Sequence, residues 1–114
     1  MPDSDSSKRR FPRYRADVAI VIYEGAQTVQ GRIAQISRGG CLVFPPLPPH
    51  QNPELRLSFR LAEDYPYINC KGEVAYSIKD KGTGVAFTEI SQYNQDLITE
   101  HFEKQLAAAK PEPS

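Results

Sequence analysis

Leu55, Leu57, Phe59 and Leu61 recur at a strict spacing of two within Glu54–Ala62, Glu-Leu-Arg-Leu-Ser-Phe-Arg-Leu-Ala. Side chains alternate across a strand, so this segment is a strand with one buried and one solvated face. A half-buried strand needs partners, and the chain supplies them. Ala16–Tyr23 is β-branched and apolar. Thr28–Ser37 alternates, with Val29, Gly31, Ile33 and Gln35 on one face and Arg32, Ala34 and Ile36 on the other. Cys41–Phe44 is a short apolar strand, and Thr83–Phe87 is another. Tyr67–Ser77 places Ile68, Cys70, Gly72, Val74 and Tyr76 in alternation. Turn residues separate these runs: Glu24-Gly25-Ala26-Gln27, Arg38-Gly39-Gly40 and the hairpin-type Asp80-Lys81-Gly82. Pro45-Pro46-Leu47-Pro48-Pro49 forms a stiff loop, because proline has no N–H to give a ladder. Short strands punctuated about every 8–12 residues predict a mainly β domain, closed as a barrel or stacked as a sandwich.

The period then changes. Ser91 is placed to cap a helix over Gln92–Ala109, with Tyr93, Leu97, Ile98, Phe102 and Leu106 as its apolar stripe. Packing onto the barrel mouth is the first reading of that stripe, and a partner or homodimer surface is the alternative. The chain of 114 residues has room for one domain. We expect a disordered polar leader over 1–7, a domain over 8–109 and a tail over 110–114 ended by its prolines. No apolar run approaches the 18 or so residues of a membrane span, so no membrane insertion is expected. The polar N-terminus lacks the apolar core of a secretory signal, and a cytoplasmic location is expected.

Enzyme chemistry finds no support. His50 lies in a Pro-Pro-His-Gln loop and His101 near the helical stripe, and neither joins a catalytic motif. No cofactor is implied. Cys41 and Cys70 lack metal-site spacing and sit in apolar segments, where they read as buried small hydrophobes. Charge is more informative. The formal net charge is zero, yet residues 8–15, Lys-Arg-Arg-Phe-Pro-Arg-Tyr-Arg, hold five basic residues and no acid. A concentrated basic arm on a neutral chain suits a compact anion. A long nucleic acid would recruit a broad basic face, so none is expected as a partner. Arginine also matches the O6/N7 edge of guanine and pairs with phosphate through two parallel hydrogen bonds. On its own the arm reads more readily as an idle solvated tail.

The arm has company. Arg9-Arg10-Phe11-Pro12-Arg13 fits an RxxxR pattern before the first strand. Gln35-Ile36-Ser37-Arg38-Gly39-Gly40 fits (D/N)xSxxG except at its first position. Gly72-Glu73-Val74 and Gly84-Val85-Ala86-Phe87 follow in order. In these features the chain resembles the PilZ family of bacterial cyclic di-GMP receptors, over about residues 8–105. The resemblance implies a six-stranded antiparallel PilZ-type β-barrel with a C-terminal α-helix. It implies cyclic di-GMP as ligand and an unidentified effector protein as partner. Arg9 and Arg13 would grip guanine and phosphate with Arg10 assisting, and Lys8 would favour a stacked ligand pair. Ser37 would donate to a phosphate or hold the turn, Gly40 would admit the ligand close to the backbone, and Tyr76 would meet a base. Gln35 stands where the family has Asp or Asn, so a degenerate scaffold acting as a nucleotide-independent interaction domain is the alternative.

Overall fold

The computed structural model describes residues 12–47 and 54–109. Leader residues 1–7, the arm residues Lys8, Arg9 and Arg10, His50 and the tail 110–114 lie outside the described residues. Six strands run β1 (Tyr14–Glu24), β2 (Gln27–Ser37), β3 (Gly40–Phe44), β4 (Leu55–Phe59), β5 (Ile68–Ile78) and β6 (Gly82–Glu89), followed by helix α1 (Gln92–Ala109). They close into a barrel in the order β1-β2-β3-β6-β5-β4, every pair antiparallel. Closure pairs the edges that an open sheet would expose.

The core is the inward row of each strand. Ile20, Ile22, Ile33, Val43, Leu55, Leu57, Phe59 and Ile68 are essentially inaccessible. The tight turns use the expected residues. Gly25 adopts φ 60° between β1 and β2, and Asp80 (φ 65°) and Gly82 (φ 140°) carry the β5–β6 hairpin. Helix α1 closes one mouth of the barrel through Ile98 and Phe102. Tyr14 stacks on Phe102 at 5.4 Å between ring centres, and its hydroxyl donates to Glu103 at 2.8 Å. Ser91 caps the helix, accepting from the Asn94 N–H at 3.1 Å.

Strand register is irregular in four places, one of them between Lys71 and Gly72 where β5 meets β6. In β2 an extra residue, Ala34, falls between the pairs Ile33↔Val43 and Gln35↔Leu42. Ile33 and Ile36 are therefore both buried, and Gln35 leaves the Ile33 face for the outer surface. In β5 an extra Ala75 between Val74↔Val85 and Tyr76↔Gly84 takes Tyr76 off the face of Ile68 and Cys70. In β1 the register slips between Arg15 and Val18, and the strand begins at Tyr14, two residues before the expected start at Ala16. A bulge adds a residue to one strand and re-aims the side chains that follow. The helical stripe is also narrower than expected. Ile98 and Phe102 are buried, whereas Tyr93 and Leu106 remain exposed.

Candidate functional site

Three of these four irregularities, in β1, β2 and the Val74–Tyr76 stretch of β5, act together on the outer face of the barrel. Arg15 pairs with Gln35, Gln35 with Leu42, Leu42 with Gly84, and Gly84 with Tyr76. One transverse row thus crosses β1, β2, β3, β6 and β5 with its side chains outward. Its floor is thin by design. A Cβ on Gly84 would fall 2.4 Å from the Tyr76 ring, so glycine lets the tyrosine lie flat across the strand. A cavity of about 570 Å³ opens along this row. Arg13, Gln35, Ser37, Gly40 and Tyr76 all line it, beside Leu42, Ala75 and Gly84. Five expected site residues, drawn from β2, β3, β5 and the lead-in to β1, therefore meet at one place. Arg9 and Arg10 lie outside the described residues.

Arg13 is the one charged residue lining the cavity among the described residues, and no carboxylate joins it. The site thus carries positive charge, donors and aromatic surface, which suits an anion with a planar ring. Cys41 also borders the cavity. Burial pushes its thiol up to about 12, so at neutral pH it is a protonated apolar contact and not a nucleophile.

The Ser37–Gly40 turn is fixed from three sides. The Ser37 hydroxyl accepts from the Gly39 N–H at 3.1 Å, which supports the turn-holding role among the two expected for it. The Gly39 carbonyl accepts from the Phe87 N–H at 2.9 Å. Gly40 lies so close to β6 that a Cβ there would sit 2.4 Å from the Val85 carbonyl oxygen. Its lack of a side chain therefore serves the strand pairing as well as any ligand.

The third side is the helix. Arg38 points away from the cavity onto α1, with Nη1 2.9 Å from Asp96 Oδ1 and 3.0 Å from Thr99 Oγ1. Gln95 answers by donating its side-chain amide to the Arg38 carbonyl at 2.9 Å. In the sequence Arg38 reads only as a strand breaker. Its partners lie 57 to 61 residues away, and no local pattern reports them.

A second cavity, about 380 Å³, lies where β4, β5 and β6 meet the start of α1. Arg56, Asn69, Lys71, Glu89 and Ser91 line it, and Lys71 and Glu89 stand 3.4 Å apart. None of the expected site residues reaches it. Among the described residues, no three His, Cys, Asp or Glu side chains cluster as metal ligands. Among them also, no helix is long and apolar enough to cross a membrane.

A family model, the PilZ domain, matches residues 7–104. No curated protein matches the chain by sequence. Several solved structures share its fold, among them these three. The Bacillus subtilis inhibitor of motility, MotI/DgrA, superposes with a TM-score of 0.73 at 19% identity, over 90% of this chain and 53% of that one. The PilZ domain of CeSA from a cellulose-synthesizing bacterium gives 0.57 at 15% identity, over 82% and 97%. Borreliella burgdorferi PlzA, crystallised in complex with c-di-GMP, gives 0.57 at 19% identity, over 88% and 44%. The chain thus spans about half the length of MotI/DgrA and less than half of PlzA.

Proposed function

The chain belongs to the PilZ domain family, and from that premise we propose that it is a cyclic di-GMP receptor that signals to a partner protein by ordering its N-terminal arginine arm. The observation that carries this reading is convergence: Arg13, Gln35, Ser37, Gly40 and Tyr76 line one outer-face cavity. Its volume of about 570 Å³ lies within the range of small-ligand sites. Cyclic di-GMP brings two phosphates and two guanines. Arg13, with Arg9 and Arg10 from the arm, supplies forks for phosphate and for the guanine O6/N7 edge. The Gln35 carbonyl accepts from the guanine N1/N2 edge, and the Tyr76 ring offers a stacking face. The ligand bridges arm and barrel, and ordering of the arm by the ligand is the switch.

The alternative, a nucleotide-independent interaction domain, is favoured by one residue. Gln35 replaces a short Asp or Asn with a side chain one methylene longer. A poorly made polar contact costs about 1–3 kcal/mol, or roughly 5–150-fold in affinity. Calorimetric titration decides between the two. Cyclic di-GMP should bind with a micromolar Kd, and Arg13→Ala should weaken binding about tenfold or more without unfolding the chain. No binding at about 100 μM, a concentration at which a micromolar site is nearly saturated, would favour the interaction domain.

A further inference from the structure

Arg15 belongs to neither half of the RxxxR pattern and does not line the cavity, yet the fold sets it beside the candidate site, opposite the lining residue Gln35. It pairs directly with Gln35 across β1 and β2. Directly opposed residues on such a pair hold their Cβ atoms about 5 Å apart. Tyr14, its neighbour, is buried beneath α1, so Arg15 projects outward and is exposed. Its charge is uncommitted. Asp17, the acid nearest to it in the sequence, is held by Arg32 through both its carboxylate and its backbone carbonyl. Among the described residues neither Arg15 nor Gln35 has a side-chain hydrogen bond or ion pair.

We infer that Arg15 and Gln35 form a two-residue guanine reader, in which Gln35 accepts from the N1/N2 edge and Arg15 donates to the adjacent O6/N7 edge. This rests on the proposed function and deepens it. Guanine presents donors and acceptors on neighbouring edges, and an arginine fork matches O6 and N7 together. A carboxylate at position 35 would lie opposite Arg15 and hold it as a counterion. The uncharged Gln35 amide leaves the guanidinium for the ligand. The departure from the family pattern and the extra arginine are then one exchange.

The test is titration of the whole chain with cyclic di-GMP and with its 7-deazaguanine analogue, which lacks the N7 acceptor. The original protein should prefer cyclic di-GMP about tenfold, the worth of one arm of a bidentate contact. In Arg15→Ala that preference should fall about fivefold, leaving what the other arginines contribute at the second guanine. Arg15→Lys loses the fork but keeps an ammonium that donates to O6 and N7, and should retain part of the preference. A preference unchanged in Arg15→Ala overturns the inference. The proposed function fails separately, on the original protein's own curve, if cyclic di-GMP does not bind; the inference then falls with it.

Discussion

Gln35 concentrates the chemistry of the candidate site in one side chain. On the proposed reading its carbonyl does the work of a shorter acceptor, at the end of a longer and more mobile arm. Gln35→Asn restores the shorter reach without adding charge opposite Arg15. It should raise affinity for cyclic di-GMP about 5-fold or more, read by calorimetry. Gly40 makes a second claim at this scale. A methyl group there meets the Val85 carbonyl, which is backbone and cannot swing aside. Gly40→Ala should therefore destabilise the fold by about 1–3 kcal/mol, measured as a lowered urea midpoint. The family resemblance made the site residues legible one at a time. What alternation hid was their direction: it put Gln35 on the face of Ile33 and Tyr76 on the face of Ile68. One-residue bulges reverse both, and Ala34 and Ala75 give no sign of it, since alanine suits either face. Arg15 carries no motif of its own, because only strand register sets it opposite Gln35.

At the scale of elements, α1 is the part that ties the site to the rest. Arg38 joins the Ser37–Gly40 turn to Asp96, Gln95 and Thr99, while Tyr14 and Phe102 seat the helix on β1. Arg38→Ala should cost about 1–2 kcal/mol in urea unfolding, the range for charged hydrogen bonds that remain partly solvated. The seat also responds to pH at both ends. Burial, reinforced by hydrogen bonding to Glu103, pushes the Tyr14 hydroxyl up to about 12. The folded state then holds a proton that the unfolded chain releases near 10. Tyr14 thus adds stability below pH 10, and loses it as pH rises from 10 to 12. His101 is wedged edge-on between Tyr65 and Phe102, and burial lowers its pKa against the pull of Asp64. The unfolded chain therefore takes up a proton first. Stability should fall as pH drops through about 6.5, and His101→Gln should flatten that limb of a pH series of melts. The helix was legible through its cap and stripe. Its attachment to the turn was not, because side-chain pairs so distant in the chain leave no periodic trace.

For the whole molecule, closure is the governing fact. The six strands, their turns and the helix follow from period, turn chemistry and capping, and those local signals agree with one another. The strand order β1-β2-β3-β6-β5-β4 does not. It rests on pairings between segments far apart, and was accessible only through the family resemblance. Closure also leaves both cysteines buried at the floors of the two cavities. Burial pushes the Cys41 and Cys70 thiols up to about 12. Native protein should resist thiol labelling at pH 8, and both cysteines should react once urea unfolds the barrel. The outer face is then the surface on which function is built, and its bulged row is the centre of the account. Amide chemical-shift mapping with cyclic di-GMP tests that most directly. The account predicts shifts concentrated on Gln35–Leu42 and Ala75–Gly84, with Asn69, Lys71 and Glu89 at the second cavity undisturbed. Shifts centred on that second cavity, or none at saturating nucleotide, would contradict it.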